Sequence, residues 1–295
     1  MTSHPFYIVD VFAEEKYAGN QLAVVRHAHT LSSADMQRLA KEMNYSETTF
    51  LTSESPRDNG YDVRIFTPQA EVPFAGHPTL GTAYIIQREL IRTPVAQVNL
   101  NLQVGQLPVT FTYCGETPDI LWMRQNTPTF GATFSPASTA EMLGLDTSML
   151  DERFPIQEVS TGLPAIIVPL KTLQAVKQAR IASDLYFDFV QDTQAKLVLV
   201  FCPQAYERSH HLNVRVFADY FGVPEDPATG SANGCLAAYL AHHRYLANGQ
   251  IDVLAEQGYE IGRPSLLYLR AQQHGDAIEV SVGGKVVMTA RGEFV

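Results

Sequence analysis

Cysteine is scarce in this 295-residue chain, and Cys114, Cys202 and Cys235 are odd in number, far apart and free of any CxxC spacing. Neither a disulfide framework nor a zinc site is indicated, and a reducing cytoplasm is the expected compartment. Long apolar runs are missing as well. No stretch of about 20 apolar residues occurs, and the opening "MTSHPFYIVDVF" has no basic region followed by a long apolar core, so no membrane span or export signal is expected. No P-loop is present and no GxGxxG follows a strand pattern, so no nucleotide cofactor, and no cofactor of any other kind, is implied. Positive charge is in short supply: 21 Lys and Arg face 31 Asp and Glu, for a formal net charge of -10. The basic residues are scattered instead of striped along one face, and a sequence pI near 5.3 repels phosphate backbones and anionic lipid surfaces, which excludes nucleic acid and membranes as expected partners.

A hydrophobic fraction of 45% can fill one large core or two of ordinary size. An internal repeat decides for two. Val63, Arg64, Phe66, Val72 and Pro73 recur without a gap as Val214, Arg215, Phe217, Val223 and Pro224, at an offset of 151 residues. Each copy reads as a short strand, a loop, and a helix rich in small residues: "YDVRIF" then "GHPTLGTAYII", and "LNVRVF" then "TGSANGCLAAYLAHH". The expected halves are residues 1–120 and 121–295, with the last strand packing back on the first half. β-branched runs such as "VNLNLQ", "LPVTFTY", "KLVLVF", "SLLYLRAQ", "AIEVSVGG" and "KVVMTARGEFV" outnumber the helical stretches. The expected fold is α+β and mostly antiparallel, each half a curled sheet round one central helix whose small side chains let strands approach on every side.

Packing does not explain the polar residues gathered where the helices begin. Met36, Leu39, Ala40 and Met43 recur at helical spacing, with Ser32 or Ser33 placed to cap the start. Glu47 follows that helix and opens the strand "TTFL". It is either a solvated or capping loop carboxylate, or a group pointed into an enclosed space and able to serve as a proton-transfer base. "FAGHPTLG" sets His77, beside Gly76, at a predicted helix start near Thr79, where it either caps the helix or relays a proton to an anion drawn there by free N–H groups. "EDPATGSANG" supplies Asp226, Thr229, Gly230 and Ser231 at the second helix start, predicted near Ser231, as an Asp-Pro turn with an ordinary N-cap or as a second acid-base group beside a glycine that admits a ligand. If a pseudo-twofold axis relates the halves, both helix starts face one cleft. Cys235 reads as a small buried packing residue or as a thiol base. His27 and His29 lack further ligands, so no metal site is expected.

Together and in order, "VDVFAEEKYAGNQLAVV", "MNYSETTFL", "VRIFTPQAEVPFAGHPTLGTA", "STGLPAIIVPL" and "FGVPEDPATGSANGCLAAYL" make the chain resemble the phenazine-biosynthesis PhzF-like family, almost end to end. That resemblance implies the diaminopimelate-epimerase fold of two pseudo-symmetric halves and a cofactor-free isomerase acting as a homodimer on a small unsaturated or cyclic carboxylic acid. In it Glu47 moves a proton between carbons, and His77 and Asp226 match the other acid-base groups. Ser46, Gly230 and Ser231, with Gly76, fall at substrate-binding positions. Epimerases of the same fold use one cysteine in each half, which this chain lacks at its helix starts, so a two-thiol racemase is disfavoured. A racemase using Glu47 with His77 or Asp226, and a binding module without turnover, are the rival expectations.

Overall fold

The computed structural model describes residues 3–246, 249–275 and 277–295, and the chain divides into two compact units, residues 1–123 with 283–295, and residues 124–282. From the N-terminus, β1 (His4–Val11), β2 (Asn20–Val25), α1 (Ser33–Met43), β3 (Glu47–Leu51), β4 (Tyr61–Phe66) and β5 (Glu71–Val72) lead to α2 (Gly76–Ile85). β6 (Gln97–Leu102), β7 (Gly105–Cys114) and β8 (Thr117–Arg124) follow. The second unit runs through β9 (Thr129–Thr133), α3 (Pro136–Met142), β10 (Gln157–Ser160), β11 (Pro164–Pro169), α4 (Leu173–Gln178), α5 (Ser183–Val190), β12 (Leu197–Cys202), β13 (Leu212–Ala218) and β14 (Val223–Asp226) to α6 (Gly230–His242). β15 (Gln250–Gln257), β16 (Ser265–His274), β17 (Ala277–Gly284) and β18 (Val286–Phe294) close the chain.

Both units obey one pairing rule. In the first, β1 pairs antiparallel with β2, β2 parallel with β3, β3 antiparallel with β4, β4 parallel with β6, and β6 antiparallel with β7. In the second, β10 and β11 are antiparallel, β11 and β12 parallel, β12 and β13 antiparallel, β13 and β15 parallel, and β15 and β16 antiparallel. The repeated residues fall on matching strands: Val63, Arg64 and Phe66 on β4, and Val214, Arg215 and Phe217 on β13. β18 pairs antiparallel with β1, from His4 against Phe294 to Val11 against Val286, which brings the end of the chain into the first unit.

Each sheet curls round one helix. Residues 77–85 of α2 are all buried, and the helix packs on β1, β2, β3, β6, β7 and β18. Small residues make this approach feasible: a Cβ at Gly81 would lie 2.6 Å from Leu22 Cδ2 and 2.9 Å from Val11 Cγ2, well inside carbon contact distance. α6 is enclosed in the same way by β10, β11, β12, β15 and β16. Outside the first sheet, α1 buries Met36 and Ala40 against Val25, Phe50 and Phe66. In the second unit, α3, α4 and α5 cover the opposite face of the sheet with a core that includes Met142, Val176, Tyr186, Ile166 and Val198. The fold is the α+β, mostly antiparallel architecture expected. Among the described residues no helix is long and apolar enough to cross a membrane.

Candidate active site

A left-handed residue sets the position of Glu47. Ser32 caps α1 by accepting the Asp35 N–H at 3.2 Å. At the other end Asn44 adopts φ 53° and donates its N–H to the Ala40 carbonyl, the αL stop typical of helix C-termini. Tyr45 and Ser46 turn the chain, and Glu47 enters β3 directly opposite Leu22 of the parallel strand β2. Ser46 is half-buried, and the Glu47 side chain retains 19% of its exposure.

His77 is the second residue of α2, which begins at Gly76 with Ala75 as its N-cap, three residues before the predicted start. Pro78 does not delay the helix because the missing N–H falls in the first turn, where no intrahelical partner exists. The imidazole is 8% exposed, and its Nε2 lies 3.4 Å from Glu47 Oε2. That spacing suits an ion pair, but burial pushes the imidazole down to about 3, opposed only by a hydrogen bond to the Gln21 backbone, so the ring is neutral at ordinary pH. The contact is therefore one of a neutral ring and a carboxylate, at a distance long for a hydrogen bond, and His77 Nε2 has no well-formed hydrogen bond among the described residues.

The buried ring has a consequence for acid stability. The unfolded imidazole takes a proton near pH 6.5, whereas the folded one resists until about pH 3. Between those limits the unfolded state binds the extra proton, so this stability is complete above pH 6.5 and is lost as pH falls, by about 2 kcal/mol at pH 5. His77→Gln should therefore flatten the fall in melting temperature between pH 7 and pH 5 by a few degrees. His243, whose burial pushes it down to about 4, contributes to both proteins alike. Identical slopes for parent and variant would refute the assignment.

In the second unit, Asp226 ends β14 and Thr229 is the N-cap of α6, which starts at Gly230 as expected. The Thr229 hydroxyl does not cap the helix; it donates to Asp226 Oδ2 at 2.5 Å. Gly230 is buried and Ser231 half-buried at the first turn. Cys235 is fully buried against Thr161 and the Leu163 carbonyl, and burial pushes its thiol up to about 11, which removes it as a base and leaves the packing role. His27 faces Glu54 at 3.6 Å.

Sequence reasoning missed two buried polar residues in the second unit, one of which bonds to this turn. Gln257 and Glu256 are completely buried at the end of β15, with Gln257 bonded to both Asp226 and Thr229. The available signal was the polar pair in "LAEQG", which breaks an alternating strand just before a glycine with φ 79°.

Comparison with known proteins places this arrangement in context. The family described as phenazine biosynthesis-like protein matches residues 9–292. A trans-2,3-dihydro-3-hydroxyanthranilate isomerase of Pseudomonas aeruginosa is 37% identical over 292 residues, covering 98% of this chain and 99% of the relative. The crystal structure of a Bacillus anthracis phenazine biosynthesis protein of the PhzF family superposes with a TM-score of 0.90 at 26% identity, covering 100% of both chains. A Pseudomonas aeruginosa structure described as a predicted epimerase has a TM-score of 0.80 at 32% identity, covering 99% of each chain.

Proposed function

The chain belongs to the phenazine biosynthesis-like family and is an isomerase, and we propose that it shifts a proton between carbons of a small, cyclic, unsaturated carboxylic acid, using side chains alone. Its relative's substrate, trans-2,3-dihydro-3-hydroxyanthranilate, is the first compound to try. The observation that carries this reading is the buried, neutral His77 facing the Glu47 carboxylate at 3.4 Å. A charged imidazole would hold Glu47 in an ion pair and weaken it as a base; a neutral one leaves the carboxylate able to take a proton.

In the proposed reaction Glu47 removes a proton from a carbon, the electron pair of that C–H bond becomes part of the shifted double bond, and a proton is returned to a second carbon. Atoms and electrons balance without an oxidant. His77 relays or stabilises the moving proton, and Asp226 is a further acid-base group, at the start of α6. Ser46, Gly76, Gly230 and Ser231 hold the carboxylate and polar substituents, as N–H groups at helix starts favour anions.

Incubation in D2O with trans-2,3-dihydro-3-hydroxyanthranilate and a panel of small cyclic and unsaturated acids tests this. Deuterium incorporation with movement of a double bond is the expected result. Incorporation with inversion alone would assign a racemase or epimerase, in keeping with the epimerase description of one relative. Tight binding without exchange would leave a binding module.

A further inference from the structure

Gln257 is completely buried, and both ends of its amide have unambiguous partners. Its Oε1 accepts the Thr229 backbone N–H at 3.2 Å and the Asn233 amide at 2.8 Å. Its Nε2 donates to the Asp226 backbone carbonyl at 2.7 Å and to Thr229 Oγ1 at 3.1 Å. A backbone N–H can only donate and a backbone carbonyl can only accept, so the amide cannot be turned over. Thr229 Oγ1 therefore already receives a donor from Gln257, and its own proton goes to Asp226 Oδ2, 2.5 Å away. Oδ2 is thereby the acceptor of a short hydrogen bond, which fixes the orientation of the Asp226 carboxylate.

Main-chain geometry holds the amide in place. Gly258 has φ 79°, and a Cβ there would collide with the carbonyls of Pro227 and Arg263, so the turn after β15 lies directly against the Asp226–Thr229 turn. Asn233, one helical turn into α6, closes the ring by donating to the Thr229 carbonyl at 3.0 Å as well as to Gln257.

We propose that Gln257 is a positioning residue, which acts through the Thr229 hydroxyl to fix the rotamer of the Asp226 carboxylate. The inference rests on the reading of Asp226 as an acid-base group and names the residue that determines how it acts. Desolvated groups held in one orientation cost no rearrangement at the moment of reaction, whereas small misplacements slow turnover sharply.

Two substitutions interrupt the relay at different points: Gln257→Met removes the amide at similar length, and Thr229→Val removes the hydroxyl at the same shape. With trans-2,3-dihydro-3-hydroxyanthranilate as probe, each should lower kcat about tenfold or more while changing KM far less. The double variant should be little worse than the poorer single one, because both act through one hydroxyl. Thr229→Ser should recover most of what Thr229→Val loses. Additive effects, or equal rates for Thr229→Ser and Thr229→Val, overturn the proposal even if Gln257→Met fails to fold. A crystal structure of Gln257→Met gives a readout independent of turnover: the Thr229 hydroxyl should leave Asp226 Oδ2, and an unchanged 2.5 Å contact would refute the orientation argument. Asp226→Asn separates the two levels. Full activity there removes Asp226 from the reaction, whereas an inactive Asp226→Asn beside normal Gln257→Met and Thr229→Val variants removes only the positioning role.

Discussion

Glu47→Gln should fold like the parent and turn over at least about a hundredfold more slowly, the usual scale of a lost general base. The substitution keeps the size of the side chain and most of its hydrogen bonding, and it removes only the group that can take a proton. Because Glu47 is partly exposed and faces a neutral imidazole at 3.4 Å, no buried charge is left uncompensated, and the melting temperature should shift by no more than a few degrees. Glu47→Asp is the finer probe. It preserves the charge and withdraws the carboxylate by about one methylene, so a fall in exchange rate there shows that position counts beyond charge. Measured as deuterium incorporation together with thermal melts, a folded and fully active Gln variant would exclude Glu47 as the base.

The sequence made the architecture legible because packing dictates it locally. A helix such as "GHPTLGTAYI" has no polar face to turn outward, so the only stable place for it is inside a sheet, and the repeat at offset 151 announces that the solution is used twice. The six β-branched runs all lie on strands: those of β7 and β17 alternate between a core and an outer face, whereas Leu197–Cys202 of β12 is buried along its whole length. The short outer helices are a different matter: α4 has six residues and α5 eight, too few turns for a periodic signal to separate them from loop. Of the candidate site, Glu47 could be found because a helix stop and a strand start meet around it. The neutrality of His77 could not, since it depends on burial beside a β2 backbone more than 50 residues away in the chain. Gln257 escaped notice for a similar reason: its partners at 226, 229 and 233 lie across the sheet, and only the three-dimensional hydrogen-bond accounting singles it out.

Glu256→Leu should lower stability by about 3–5 kcal/mol, the range seen when one partner of a buried charged cluster is removed. This carboxylate is 0% exposed. It accepts the backbone N–H groups of Tyr206 at 2.7 Å and Glu207 at 2.9 Å, the Asn213 amide at 3.2 Å and His210 Nδ1 at 2.8 Å. Leucine fills the volume and accepts nothing, so two main-chain donors and two side chains lose their partner, each at a desolvation cost of about 1–3 kcal/mol where no water can enter. Stacking of Tyr206 on Tyr259, with ring centroids 4.5 Å apart, and Lys177 lying 4.2 Å over the Tyr206 ring hold the same loop from its other side. These contacts reduce the loss without abolishing it. Glu256→Gln keeps one acceptor oxygen but sets an NH2 against a main-chain donor, so it should fall between parent and leucine variant. Thermal melting is the measurement, with a decrease on the order of 10 °C expected for leucine; a leucine variant that melts within about 2 °C of the parent would show that water satisfies the loop and that the carboxylate clamps nothing. The site should register the change too, because Glu256 and Gln257 are consecutive on β15 and point to opposite faces: loosening the 203–211 loop on one face frees the strand whose other face presents the Gln257 amide to Thr229 and Asp226.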